Sequence, residues 1–458
     1  MKPYSKSLFL FRRDLRLSDN TGLNAALSQS EEVIPAFHFN SAQIDPHPYR
    51  SVPGLRFMLE SLEAIDQQLQ QYHSKLAVFQ GSIEAMANDW TKRLNIKAVW
   101  VNRDYTPFSI KRDLALKKAC IDQGIEFHSC NDLLLVEPEQ ALKKDRTPYT
   151  VFTPFYNNAR TFPVAKPTPL ASRTGKFSSV RQTPSLRSIC KAICDSPSNP
   201  DHIAGGYLAA NRLLAKISSY RHYESERDIP ALEKTTGLSA HLKFGTCSPR
   251  NAYWTISEKL GANHPLVRQL YWRDFLTHVA FNFPKVFGHA FKDKYDSIPW
   301  ENDPTKFESW QRGVTGFPIV DAGMRQLNAT GLMHNRVRMV VASFLVKDLL
   351  VDWRWGERYF AQQLVDYDPC VNNGNWQWAA STGCDAQPYF RIFNPWRQQE
   401  RFDPNCEYIK KWIPELADLP AKAIHKWALS PSGAEYPSPI VDHRQASYRV
   451  KMLFEMRR

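Results

Sequence analysis

The stretch SLFLFRRDLRLSDNTGLNAALSQSEEVIPAFHF, residues 7–39, places two short apolar runs, SLFLF at 7–11 and VIPAFHF at 33–39, on either side of the amphipathic piece NTGLNAALSQ. Runs this short, rich in aromatic residues, suit buried strands, and the segment between them suits a helix. The pattern repeats outward. A helical pattern over 54–72 leads to LAVF at 76–79, another near 82–94 leads to KAVWV at 97–101, and a third over 109–123 precedes EFHSC. Strands alternating with helices predict a parallel sheet covered on both faces. No GxGxxG and no GxxxxGK followed by Ser or Thr occurs, so the usual phosphate-cradling loops are absent.

From about 131 to 200 the texture changes to Pro, Ser, Thr and Lys with little periodicity, as in an interdomain connector. Its VFTPFYNNAR patch is too aromatic for a free linker and is expected to pack. After 200 every periodic segment is helical: 205–220, 248–259, 265–282, 317–331, 334–351, 355–365 and 405–416. An all-α region follows.

The bulk properties exclude several classes. No run of about 18 apolar residues occurs, so no membrane span is expected. The LFLF run near the N-terminus is too short for a signal peptide, so a cytoplasmic location is expected. Eight cysteines are widely scattered, and only Cys190 and Cys194 lie close together, which argues against a metal site and for free thiols. The net charge of +13 favours a polyanionic partner. Residues 1–130 carry 16 Lys and Arg against 14 Asp and Glu, the remainder 43 against 32, and eleven of the thirteen tryptophans fall between 254 and 427. Basic charge and stacking surfaces therefore coincide in the later part, as nucleic-acid binding requires, although a helical core with a basic surface would look similar.

Within that part DYDPCVNNGNWQWAAS, residues 366–381, gathers two aspartates, three asparagines and two tryptophans. Asp, Asn and Gly weaken an ordinary amphipathic helix. Charged acceptors beside flat apolar rings suit a pocket for a flat ligand with polar edges; a buried turn with Asx side chains on backbone donors is the alternative.

Several stretches together resemble the photolyase/cryptochrome family, most closely the class I photolyases of cyclobutane pyrimidine dimers (CPD). They are FRRDLRLSDN at 11–20, TGLSAHLKFGTCSPR at 236–250, LYWRDF at 270–275, TGFPIVDAGMRQLNATGLMHNRVRMVVASFLVKDLLVDWRWGERYF at 315–360, the 366–381 stretch and PYFRIFNP at 388–395. The resemblance implies an α/β N-terminal domain with a Rossmann-like parallel sheet and a larger all-α, FAD-binding C-terminal domain. The expected division is 1–130 as an antenna-type domain, 131–200 as connector and 201–458 as the FAD- and DNA-binding catalytic domain.

The resemblance also implies roles. Tyr223, Thr235, Thr236, Gly237, Leu238 and Ser239 match positions around the FAD phosphates, where hydroxyls and backbone N–H groups serve a diphosphate. Arg273, Arg338, Asp366, Tyr367, Asp368 and Asn372 match positions at the isoalloxazine, the ribose or their surroundings. Asn372 matches the residue facing flavin N5, where an amide favours repair over signalling. Trp376, Trp353 and Trp300 match an electron-transfer triad that photoreduces FAD; any one of them alone would read as core packing. Trp272, Asn335, Met339 and Trp378 match the pocket for a flipped dimer. Arg227, Arg336, Arg391 and Arg397 match phosphate contacts.

This chain departs from the pattern at Gln269, where dimer photolyases carry a glutamate that hydrogen-bonds the lesion; a glutamine donates through its NH₂ but supplies no carboxyl proton. Glutamine is usual in animal (6-4) photolyases, yet their His pair is replaced here by Asn335 and Met339. Leu332 replaces a tryptophan common in close relatives. In 102–113, Phe108 and Ser109 stand where folate-binding members have Asn and Glu. The implied activity is that of a carbon–carbon lyase: light-driven repair of CPD lesions in UV-damaged DNA by electron transfer from reduced FAD, with (6-4) photolyase activity or a cryptochrome-type photoreceptor as alternatives. A monomer is expected, with no metal. The antenna chromophore, methenyltetrahydrofolate or deazaflavin, is left open.

Overall fold

In the computed structural model the two apolar runs of 7–39 are strands β1 (Tyr4–Phe11) and β2 (Ser30–Phe39), paired in parallel with Phe9 beside Pro35 and Phe11 beside Phe37. Helix α1 (Thr21–Gln29) makes the crossover, and its start is set by Asn20, whose side chain accepts from the Leu23 N–H. The unit repeats through α2 (Val52–Gln70), β3 (Ala77–Gln80), α3 (Ile83–Lys92), β4 (Ala98–Asn102), α4 (Pro107–Asp122) and β5 (Glu126–Cys130). The strand order is β3-β2-β1-β4-β5, all parallel. This is the doubly wound order, in which the chain reverses direction across the sheet at β1. Residues 2–171, 176–180, 184–193, 202–385, 391–431, 433 and 435–456 are described; Cys194 and the Pro-Tyr-Phe of the 388–395 motif lie outside them.

The Pro- and Ser-rich stretch after 130 carries more order than its composition suggests. It contains α5 (Phe152–Ala159), the two-residue strand β6 (Lys176–Phe177) and α6 (Leu186–Ile193). Strand β6 pairs with the start of β2, extending the sheet edge next to β3. Helix α5 exists because Phe152 and Phe155 bury against Trp272 and Phe275, with the Phe152 ring stacked on the Trp272 indole at 3.6 Å. The expected packing of the aromatic patch is realised; its periodicity was hidden by only two helical turns.

The chain divides into two compact units, one of Met1–Ser198, Ile203–Ser219 and Thr236–Asn282, the other of Asn199–His202, Tyr220–Thr235 and Phe283–Arg458. The first also holds α7 (Tyr207–Ala215), α8 (Ser239–Phe244), α9 (Pro249–Leu260) and α10 (Pro265–Asn282). Its polar centre is the FRRDLRLSDN motif. Arg16, fully buried, donates to Asp132 at 2.6 Å, to the Asp19 carbonyl at 2.6 Å and to the Gly245 carbonyl at 3.1 Å. Arg250 reaches the same Asp132 at 2.7 Å and Asp19 at 3.2 Å. Two guanidiniums and two carboxylates thus satisfy one another away from water, which a buried charge cluster requires. The motif's role in this unit is to hold the end of β1 to α8 and α9.

The second unit is helical: α11 (Pro304–Arg312), α12 (Pro318–Thr330), α13 (Asn335–Ser343), α14 (Trp353–Gln363), α15 (Pro369–Ala380), α16 (Pro395–Phe402), α17 (Glu407–Trp412) and α18 (His443–Glu455), with short turns between. Its core is built around Trp310, Phe317, Val337, Val341, Phe344, Trp353, Phe360 and Trp376. The pattern at 334–351 reads as one helix, but the structure changes at Ser343 to a π turn, Phe344–Asp348. That wider turn brings all five of its residues inside, including Lys347 and Asp348.

Gly245 and Gly124 separate strain from crowding. Both hold a left-handed φ, +69° and +67°, but a Cβ at Gly245 would lie 2.2 Å from the Arg13 carbonyl oxygen, while at Gly124 nothing lies within 4 Å. Gly124→Ala is expected to cost about 1 kcal/mol from backbone conformation alone. Gly245→Ala should cost roughly 3 kcal/mol or more, because backbone must also move. Equal falls in apparent melting temperature for the two variants would contradict this reading.

Candidate functional site

The residues singled out at 366–381 form α15, not a turn. Pro369 occupies the first helical turn, where its missing N–H costs nothing, and Asp368 caps it by accepting from Cys370 N–H at 3.0 Å and Val371 N–H at 3.3 Å. At the other end Ser381 takes φ +64°, and Lys347 Nζ donates to the Ala380 carbonyl at 2.9 Å and to Ser381 Oγ at 3.1 Å. Carboxylate at the N-terminus and amine at the C-terminus match the helix dipole. Burial lowers the Lys347 pKa well below its ordinary value.

The asparagines that argue against a helix are here its anchors. Asn373 donates to the Val286 carbonyl at 3.0 Å, and Gln377 donates to Val286 and His289 carbonyls at 3.1 and 3.0 Å while accepting from Phe291 N–H at 2.8 Å. Tertiary partners replace the local backbone bonds with which Asn competes against helix, which is why its propensity is overridden.

Asn372 faces another way. Its Nδ2 donates to the Glu357 carbonyl at 3.1 Å and to Glu357 Oε1 at 3.3 Å. A carbonyl oxygen only accepts, so the amide orientation is decided: the NH₂ points at Glu357 and Oδ1 points away. No described residue donates to that Oδ1. What Asn372 offers a ligand is therefore an acceptor, which fits a flat ligand presenting an N–H. Glu357 carries no role in the family resemblance drawn from sequence, and neither does Gly356 beside it. A Cβ at Gly356 would lie 2.2 Å from the Trp376 ring, so this glycine admits the indole. A glycine inside a helical pattern, in WRWGERYF, is the signal that could have marked it.

Asp366 is paired in a two-pronged fork with Arg338, Nη1 to Oδ1 at 3.2 Å and Nη2 to Oδ2 at 2.9 Å, while Arg338 Nε holds the Met333 carbonyl at 2.8 Å. Tyr367, partly buried, lies between Asp366 and the cap Asp368. Tyr223 is buried and carries Arg227 over its ring at 5.8 Å.

Trp376 and Trp353 are buried in the core of the second unit, and Trp300 packs half-buried against the same core. Trp376 meets Phe360 edge-on at 4.9 Å and Trp310 at 6.2 Å. The indole nitrogens of Trp353 and Trp300 are buried with no hydrogen-bond partner among the described residues, whereas Trp310 donates to the Val341 carbonyl at 3.1 Å.

Helices α13 and α15 pack together. On α13, Asn335 is exposed and its amide lies 3.9 Å from Met339 Sδ. On α15, half-buried Trp378 lies 6.3 Å from the Phe393 ring, with the exposed Arg391 guanidinium 5.9 Å from the indole. Arg397 is exposed at the start of α16. Arg336 is already engaged: it pairs with Asp228 at 2.8 Å and lies over Phe402 at 4.4 Å.

The remaining assigned residues, Thr235 apart, belong to the first unit. Thr236 Oγ1 accepts from Leu238 N–H at 3.4 Å, Gly237 sits at φ +67°, and Ser239 opens α8 with no side-chain cap. Thr235, which ends a segment of the second unit, has its carbonyl bound by the Tyr220 hydroxyl at 3.1 Å. Arg273 donates to the Leu133 carbonyl at 2.6 Å, and Asp274 accepts from Leu135 and Val136 N–H groups. Burial pushes the Asp274 carboxyl up to about 7. Trp272 presents one face to Phe152, as described, and Gln269 turns back on its own helix, donating to the Pro265 carbonyl at 3.4 Å.

Two family descriptions match the chain, "DNA photolyase" over residues 7–171 and "FAD binding domain of DNA photolyase" over residues 266–456. The chain belongs to the DNA photolyase family. It is 38% identical to the deoxyribodipyrimidine photo-lyase of Halobacterium salinarum, covering 98% of this chain and 99% of that protein. Among solved structures it is similar to an archaeal photolyase from Sulfolobus tokodaii with two FAD molecules, at TM-score 0.89 and 43% identity over 98% of this chain and 100% of that one. It is also similar to a bacterial class III photolyase from Agrobacterium tumefaciens, at TM-score 0.90 and 34% identity over 100% of this chain and 98% of that one. No helix among the described residues is long and apolar enough to cross a membrane.

The Asn372–Glu357 contact makes a pH-dependent prediction. Asn372→Asp would set a carboxylate against Glu357 Oε1 and a backbone carbonyl, both acceptors, so the new carboxyl must keep its proton to bond. Its folded pKa would be raised above the unfolded value of about 3.9, and stability would fall as pH rises from there through the folded pKa. The melting temperature of the variant relative to the parent should drop between pH 4 and pH 8, a range taken from the same reference values. A pH-independent gap would refute the geometry.

Proposed function

We propose that this chain is a flavoprotein that uses light to split cyclobutane pyrimidine dimers in DNA, with the chemistry centred on α15. The observation that carries the reading is the oriented amide of Asn372: its only open function is an acceptor, complementary to the N–H at N5 of fully reduced flavin. When bound and reduced, FAD would supply light-driven one-electron chemistry with the electron returned at the end, so no net oxidation would result.

The protein's residues bind, orient and exclude. In the second unit Arg338, Asp366, Tyr367 and Asp368 would hold the flavin beside α15, with Tyr223 and Thr235 toward its phosphates; in the first unit Thr236, Gly237, Leu238, Ser239 and Arg273 carry the cofactor roles that the family resemblance gives them. In the second unit Asn335, Met339 and Trp378 offer an amide, a thioether and an indole to bases taken out of the stack, a step made easier because the lesion already weakens pairing and stacking; Trp272 in the first unit carries the same role by family resemblance. Arg391 and Arg397, exposed and without an ion-pair partner among the described residues, suit DNA phosphates, and Arg227 adds a third contact. The Asp228 ion pair makes Arg336 a support for this surface rather than a phosphate hook. Gln269 can offer a neutral N–H to the lesion once it leaves its own helix. Trp376, Trp353 and Trp300 serve photoreduction of FAD.

The working unit is a monomer acting on UV-damaged DNA in the cytoplasm. For an antenna chromophore in the first unit, Ser109 weighs against methenyltetrahydrofolate: its hydroxyl is held by Asp104 and Thr106, both at 2.9 Å, and replaces the carboxylate that folate-binding members use. A deazaflavin or second flavin fits better; the Sulfolobus tokodaii structure is described as implying a novel light-harvesting cofactor.

Illumination of the reduced enzyme with dimer-containing DNA should restore thymine. Repair of (6-4) DNA in its place would move the substrate, and repair of neither would favour a photoreceptor. Trp353→Phe should slow photoreduction of oxidised FAD at least tenfold, or about 1.4 kcal/mol in barrier, while prereduced enzyme keeps most of its repair. Equal loss of both would refute the assigned role.

A further inference from the structure

The basic face of the second unit is partly covered by acids of its own chain. Arg397 and Arg401 stand one turn apart on α16 and are both exposed, with the Arg401 guanidinium 5.1 Å from the Phe402 ring. Arg336, in the first turn of α13 beside the exposed Asn335, lies 4.4 Å from the same ring. A planar guanidinium over an aromatic face is held in place before any ligand arrives. Asp228 occupies it: its Oδ2 accepts from Arg336 Nη2 at 2.8 Å. A guanidinium binds a phosphate oxygen at that same distance, so the carboxylate sits where a backbone phosphate would.

Residues 223–233 carry Asp228 together with Glu224, Glu226 and Glu233. Glu233 pairs with Lys411 of α17 at 2.6 Å, so two carboxylates of one stretch meet cations from two helices, all within the second unit. The two pairs differ in exposure. The Lys411 and Glu233 side chains are 56% and 69% exposed, and such a pair opens at little cost. Those of Arg336 and Asp228 are 18% and 34% exposed, and the ring fixes one partner. DNA must displace Asp228 to use Arg336. A cation neutralised by its own chain releases no counterion when a phosphate comes near.

We propose that Asp228 is a specificity-determining residue, an internal stand-in for phosphate that keeps Arg336 from undamaged DNA. The inference rests on the repair reading above. Affinity for undamaged DNA comes almost wholly from phosphate contacts, and such DNA can slide until a phosphate meets each available cation. Dimer-containing DNA is also held through bases taken out of the stack, which locks it in one register. A freed Arg336 therefore adds more to the first complex than to the second. Discrimination is the difference between the two affinities, and a repair enzyme meets undamaged sites in vast excess. The contact withheld at Arg336 weakens the wrong complex most.

The test is equilibrium binding of the holoenzyme, in the dark, to a short undamaged duplex and to the same duplex carrying a dimer, over a range of salt. Asp228→Asn keeps the side chain's size and removes its charge. Undamaged DNA should then bind more tightly, and the plot of log K against log salt should steepen by about 0.9, the effect of a further phosphate contact. The variant's advantage over the parent should shrink about 3.5-fold between about 50 and about 200 mM salt. Its preference for dimer DNA should fall, with FAD content and melting temperature like the parent's; Asp228→Ser gives the same readout if the amide lowers either. Glu224→Gln removes an exposed charge of the same stretch and should leave the slope near the parent's. Asp228→Asn with Arg336→Gln, which has the parent's net charge, should lose the gain. The proposal is overturned by an unchanged slope for Asp228→Asn, by an equal effect of Glu224→Gln, by equal tightening on both duplexes, or by a gain that survives the loss of Arg336. A parent that binds the two duplexes alike overturns the repair reading and the proposal with it. A parent that prefers dimer DNA, with the slope unmoved by Asp228→Asn, overturns the proposal alone.

Discussion

Helix α15 is fastened at four places, and the chemistry of the second unit depends on those bonds. Asp368 holds its first N–H groups, Lys347 holds its last carbonyl, and Asn373 with Gln377 grips the carbonyls of Val286 and His289. These are buried polar contacts, each expensive to leave unmade, so together they permit one rotation of the helix about its axis. With that rotation set, Asn372 meets Glu357 on one side, Trp376 enters the groove that Gly356 opens, and Trp378 is left half-buried on the side of Arg391 and Phe393. One helix thus serves three partners because its side chains leave at 100° intervals around a fixed axis.

The first unit solves a different problem with similar means. Its motif residues Arg16, Asp19, Asp132 and Arg250 form a closed charge cluster, so sequence that looks functional by its density of charge is spent on packing. Arg273 and Asp274 likewise anchor residues 133–136 through backbone groups. A residue matched to a cofactor neighbourhood can therefore be a structural anchor first, and its loss would be felt as folding before it was felt as chemistry.

The tryptophans show how environment divides identical side chains. Trp310 sits against Trp376 and yet donates its N–H to a backbone carbonyl; Trp353 and Trp300 have no such partner among the described residues. An unpartnered buried N–H is costly and uncommon.

Much of this was legible in the residues themselves. The alternation of short apolar runs with helical segments over 7–130 determined a parallel α/β sheet, because burial on both faces demands strands of that composition. The motifs at 236–250, 315–360 and 366–381 were long enough to place the family and its flavin. What sequence could not decide was conformation where local propensity loses to tertiary partners. Asn372 and Asn373 argued against a helix that forms because their side chains bond to distant carbonyls; the connector hid α5 because its two turns are stabilised by Trp272 and Phe275, more than a hundred residues away. Only the folded chain decided which way the Asn372 amide points and that Arg336 is neutralised by Asp228. Periodicity reports which face of an element is buried, and nothing in it reports what lies on the other side.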